Sequence, residues 1–174
     1  MTARRTLNGG IAGAIAAAVW AAQQPLDKRI FGCDYDDVEL LGKGVTRGSG
    51  WPAVGLALHL QNGAAFGAAY ASVRPLLPGP PIAWAMTAAM VENFGSWPLV
   101  RLVDNHHPAR GQMTPLTGNA RVLAQATWRH FLFGAVMGIV EARLNDRSAE
   151  EPPPTVPVES NGHGLIEHAA VATG

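Results

Sequence analysis

The chain has 174 residues, about one domain's worth, and only 15% of them are charged, against roughly 25% in a typical soluble domain. Thirteen Lys and Arg balance thirteen Asp and Glu, which excludes nucleic-acid binding by bulk charge and a strongly acidic or basic tail. The single cysteine, Cys33, excludes an internal disulfide framework and a Cys-based zinc ribbon.

In chain order, Thr6 to Leu26 carries no Asp, Glu, Lys or Arg, and neither does the stretch between Arg47 and Arg74. Glu92 is the one charge between Arg74 and Arg101, and Arg129 the one between Arg121 and Glu141. A membrane-crossing helix needs about 20 mostly apolar residues, so the pattern predicts four spans, near 7–25, 52–73, 80–99 and 121–142. Pro52 and Pro80-Pro81 suit helix starts, where a missing N–H costs nothing. Trp51, Trp84 and Trp97 fall near span ends, where interfacial aromatics belong. A soluble bundle would show a polar face at 3.6-residue periodicity, and the first span (GGIAGAIAAAVWAA) has none. A signal peptide over residues 1–22, with Arg4-Arg5 ahead of the apolar run, is the competing interpretation of the first span.

A repeat argues that this span is retained. His59, Gly63 and Gly67 share their spacing with His130, Gly134 and Gly138, and the ladder extends to Gly55 and Ala71 in one copy and Ala126 and Ala142 in the other. Pro25-Leu26 similarly matches Pro98-Leu99. The expected fold is therefore all-α, a four-transmembrane-helix bundle built from a duplicated two-helix hairpin (2+2). Small-x3-small stripes let membrane helices approach closely. Gly9 and Gly13 with Ala17 and Ala21 supply one on the first span, Gly55, Gly63 and Gly67 one on the second, and Gly134 and Gly138 one on the fourth. On the third span, Ala85, Ala88, Ala89, Gly95 and Ser96 form the expected stripe, with Glu92 upon it.

His59, Asn62, Glu92, Asn93, Gln125, Arg129 and His130 all fall inside the spans. Ionisable groups there are costly and face protein or water. The leading expectation is a structural network in which Glu92 pairs with Arg129, the only opposite charge within the spans, while the two histidines sit at similar depth. The sharper alternatives are a proton-relay or solute site around Glu92, His59 and His130, and a two-histidine ligand pair for haem or a divalent metal with Glu92 as third ligand. Two histidines without a diagnostic spacing are a weak metal signal, so no metal or cofactor is assigned.

Of the connections, the first carries Asp34, Asp36 and Asp37 ahead of an apolar-periodic segment ending in Lys43 and Arg47, which suits a short interfacial helix near 35–45. Calcium binding there lacks any EF-hand spacing. The third carries Asp104, His106 and His107, which reads as a polar turn before Pro108 rather than a zinc site. Residues 148–174 are Pro-rich and aperiodic, a disordered tail beyond a membrane domain of residues 1–147. Arg4, Arg5, Arg74, Arg143 and Arg147 stand against Lys28, Arg29, Lys43, Arg47, Arg101, Arg110 and Arg121, so charge asymmetry barely sets orientation; both termini are placed in the cytoplasm.

The AGxIA opening and the paired His-x3-Gly-x3-Gly helices resemble those of uncharacterised small inner-membrane proteins of bacteria, loosely the YagU-like group, over about residues 8–142. The resemblance implies a multi-pass protein of the cytoplasmic membrane and transfers no catalytic residue. No nucleophile elbow, P-loop or HExxH helix is present. The functional expectation is thus a non-enzymatic structural or accessory membrane protein, or one with an envelope-stress role, partnered by the bilayer and by further copies or a membrane complex, with no nucleic acid. The alternatives are a small proton- or solute-translocating protein using Glu92, His59 and His130, and a bis-His metal or haem redox protein.

Overall fold

The computed structural model describes residues 3–149, and the described residues are all-helical. The expected tail lies outside them, apart from its first two positions, which close the last helix. Four long helices stand where the four spans were predicted: α1 (Ala3–Phe31), α3 (Trp51–Val73), α4 (Pro81–Ser96) and α6 (Ala120–Ala149). Two short helices sit in the odd-numbered connections, α2 (Asp37–Val45) after α1 and α5 (Val100–His106) after α4, so each half reads long helix, short helix, long helix. By mean hydropathy, no described helix is long and apolar enough to cross a membrane.

The bounds of α1 depart from the expected 7–25 in a way that matters. Pro25 removes one backbone donor, yet the helix runs on to Phe31 and so carries Asp27 and Lys28 within its last turns. The interfacial helix forms as the acids before it dictate. Asp36 takes extended backbone angles and its carboxylate accepts from the Glu39 amide at 3.0 Å, a capping geometry that satisfies an otherwise orphaned donor.

Packing follows the small residues. α1 and α3 are antiparallel neighbours, with Gly9 against Gly67 and Ala71 and Gly13 against Gly63; a Cβ added at Gly13 would overlap the Gly63 carbonyl. α6 lies on α4 in the same manner, Gly134 and Gly138 meeting Ala85, Ala89 and the Ile82 backbone. Gly55, the top rung of the α3 ladder, is used differently, packing against Val38 and Gly42 of α2. α1 and α6 then pack together and join the hairpins, whereas α3 and α4 do not pack against each other along their lengths.

On α4 the buried residues are Ala85 and Ala89, both on the expected stripe, and Asn93 in place of the neighbouring Glu92. Glu92 consequently lies beside the seam with its side chain 45% exposed. Gly95, expected on the stripe, meets nothing within 4 Å.

Candidate binding site: the polar seam and its cavity

Arg129 does not pair with Glu92. Its guanidinium, completely buried on α6, grips Asp27 of α1 in a bidentate fork, with Nε to Oδ2 at 2.6 Å and Nη2 to Oδ1 at 2.7 Å. Nη1 reaches Asp37 at the start of α2 at 2.7 Å, and Nη2 also donates to the Tyr35 carbonyl at 3.0 Å. The planar fork suits two carboxylates at once in a way a lysine ammonium would not. Sequence reasoning assigned both aspartates to a loop because it ended the first span at Pro25; the extra turns of α1 bring Asp27 level with Arg129. Gln125, one turn before Arg129, donates to the same Asp27 at 2.6 Å and to the Cys33 carbonyl at 3.3 Å. Tyr35 donates its hydroxyl to Asp37. Burial, with the Asp37 charge adding to it, holds the Tyr35 phenol well above its ordinary value.

Glu92 pairs instead with His130, Oε2 to Nε2 at 2.6 Å. The other ring nitrogen of His130 lies 2.7 Å from the Ala126 carbonyl, which can only accept, so Nδ1 carries a proton.

The two histidines do stand at one level, but Trp20 of α1 lies in contact with both. Its ring meets His59 edge-on at 5.2 Å and His130 at 4.7 Å, and its indole N–H donates to Asp37 at 3.1 Å. Both nitrogens of His130 are engaged, one with Glu92 and one with the Ala126 carbonyl. Among the described residues no group of three or more His, Cys, Asp or Glu is placed to hold a metal. Asn93 donates to Thr127 at 3.2 Å and stays outside this cluster.

Beside Trp20 the gap between α3 and α4 opens into a cavity of about 460 Å³. Its polar lining is His59, Asn62, Glu92, His130 and Asp37, and Phe66 and Phe133, edge to face at 5.5 Å, line it too. Asn62 and Glu92 are exposed at its edge. His59 is only 8% exposed, and its Nε2 is buried with no hydrogen-bond partner among the described residues. Toward the N-terminal end of α1, beyond Phe133 and Met137, a second buried acid, Glu141, accepts from Arg5 at 3.2 Å and Asn145 at 2.7 Å. Neither Glu141 nor Arg5 was anticipated; their only signal was placement at opposite ends of helices that run antiparallel.

The loop residues that invited metal readings have backbone duties. Asp104 accepts from the Leu116 amide at 3.0 Å and the Thr117 amide at 2.7 Å. His107 bonds the Leu40 carbonyl through Nε2 at 2.9 Å and accepts from the Ala109 amide through Nδ1 at 3.1 Å, which ties the third connection to α2. His106 bonds the Leu102 carbonyl of its own helix. Partial burial pushes the Asp104 carboxyl up, but hydrogen bonds from Thr117 and Leu116 outweigh it and hold the group below its ordinary value. A carboxyl depressed in the folded state stabilises above its unfolded value, about 3.9, and that contribution fades as pH falls toward the folded value. The protection factors of the Leu116 and Thr117 amides, that is, exchange corrected for its intrinsic pH dependence, should therefore fall below about pH 4, and Asp104→Asn should show the lower protection already at neutral pH. Unchanged exchange in that variant would mean that Asp104 does not organise the loop.

No family model, curated protein or solved structure matches the chain.

Proposed function

We propose that the chain is a non-enzymatic, four-span integral protein of the bacterial cytoplasmic membrane, in line with the YagU-like resemblance, acting through ligand binding in the cavity between its hairpins. One observation carries the membrane reading: the polarity of the bundle is inverted. The largest fully buried side chains include Arg129, Gln125, Glu141, Asn93 and Asp27, while Leu7, Ile11, Ile15 and Val19 run up the outer face of α1 with 37–64% of their surface exposed. Phe94, Val91 and Phe131 do the same on the far side. A protein in water buries its large apolar residues first; one in lipid gains nothing by hiding leucine and instead gathers polar groups inside. Mean hydropathy is lowered by the inward Gly, Asn, Gln and His positions, which lipid would never meet. α1 touches both hairpins, which supports its retention as a span.

Binding is favoured over translocation because Phe66, Phe133 and Met137 form an apolar layer between the cavity and the Arg5–Glu141 pair, with Met137 wholly buried. Extraction of membranes with alkaline carbonate should leave the protein in the pellet, and detergent should release it. Recovery in the carbonate supernatant would overturn the membrane reading.

A further inference from the structure

The seam holds one negative charge more than it can neutralise. Asp27 and Asp37 face the single guanidinium of Arg129, and both Asp27 and Arg129 have no exposed side-chain surface. Lys28 is paired with Asp36 at 2.7 Å and Lys43 with Glu39. Glu92 is paired with His130 at 2.6 Å. Asp37, its side chain 14% exposed and already accepting from Arg129, Trp20 and Tyr35, lines the cavity and lends it negative charge.

A second observation is independent of charge. His59 is one of the residues lining the same cavity and its buried Nε2 has no partner among the described residues, which is uncommon in a native fold. The protein's own side chains leave both the acidic lining and the His59 nitrogen for a ligand to meet.

We propose that the cavity binds an organic ammonium ion, a protonated primary or secondary amine with an apolar body. The amine's N–H groups would supply the donor that His59 lacks and a donor for the second oxygen of Glu92, with Asn62 offering a further acceptor. Its positive charge would answer Asp37, and the rings of Trp20 and Tyr35 suit a cation and its hydrocarbon part. The cavity volume lies in the range of small-ligand sites. An inorganic cation would find too few oxygen ligands beside the aromatic walls. Because α3 and α4 do not close on each other, the amine can arrive from water or as the headgroup of an aminophospholipid.

This inference rests on the binding reading above and refines it. Phenethylammonium titrated calorimetrically into detergent-purified protein should bind, and phenethyl alcohol, its neutral counterpart of like size, should bind at least about tenfold more weakly, the cost of losing a hydrogen bond to a charged group. Glu92→Gln keeps a group that can bond His130 and should weaken the ammonium by about tenfold while leaving the alcohol unchanged. Equal binding of the two compounds would overturn the ammonium assignment and leave the cavity as a site for neutral guests. Binding of neither would overturn both readings. The same titration in nanodiscs with and without phosphatidylethanolamine separates the sources: competition by that lipid identifies the headgroup, and its absence identifies a free amine.

Discussion

Arg129→Leu should destabilise the protein by about 3–5 kcal/mol, the cost of leaving a buried ion without its partner. Two carboxylates depend on this guanidinium, and it also anchors the Tyr35 carbonyl, so its loss would loosen α1, α2 and α6 together. Asp27→Asn should cost less, since an amide can still accept from Arg129 and Asp37 still balances its charge. The double variant Asp27→Leu/Arg129→Leu should be milder than the sum of Asp27→Leu and Arg129→Leu, because only Asp37 then loses its cation, whereas Arg129→Leu alone strands both carboxylates. Glu92→Gln provides the contrast. With nearly half its side chain exposed, Glu92 should contribute within the range of about 0–1 kcal/mol typical of exposed pairs. Melting temperatures in detergent for these variants decide the matter. Losses for Asp27→Leu and Arg129→Leu that add to within about 0.5 kcal/mol would show that the pair is not coupled. A Glu92→Gln loss as large as that of Arg129→Leu would restore the pairing that the charge pattern alone suggested.

That pattern was readable in the sequence only to a point. The stretches with no charge or a single one located all four long helices, and the acids before Val38 located α2, because both signals are local. The ladder from His59 to Gly67 and its copy from His130 to Gly138 correctly mark close-packed faces, since a Cβ at Gly63 or Gly134 would clash. What could not be read was register between elements. Glu92 and Asn93 are adjacent, and nothing in α4 alone says which faces inward; packing against α6 selects Asn93. The partner of Arg129 was missed for a related reason. Counting charges only within the predicted spans left Glu92 as the sole candidate, whereas the overrun of α1 past Pro25 delivers Asp27. The cavity arises from a missing contact, that between α3 and α4, and an absence of packing leaves no periodic trace in either helix.

The glycine contacts make the sharpest stability prediction within a single helix. Gly10 and Gly13 are both in α1, so helix propensity alone makes Ala better than Gly at each by about 0.5–1 kcal/mol. Their surroundings differ. A Cβ at Gly10 would touch the Ala64 carbonyl oxygen at an ordinary 3.6 Å, while one at Gly13 would overlap the Gly63 carbonyl and press on the Gly67 amide nitrogen. Backbone cannot swing aside as a flexible side chain can, so α1 and α3 must separate and forfeit dispersion contacts along the whole seam. Gly10→Ala should thus be neutral or slightly stabilising, and Gly13→Ala should cost about 1–3 kcal/mol, the usual penalty of overpacking. Gly63→Ala should cost a similar amount, because it meets the Ala17 methyl and the Gly13 carbonyl from the opposite side. Combining Gly13→Ala with Gly63→Ala should cost less than their sum, since once the helices have parted the second methyl enters space already opened. Gly95→Ala on α4, with nothing within 4 Å, should behave like Gly10→Ala. Thermal melting of the five variants in one detergent tests the whole set. If Gly13→Ala melts with Gly10→Ala, then α1 and α3 do not approach through this stripe, and the wall of the cavity that His59 and Gly63 form would have to be placed elsewhere.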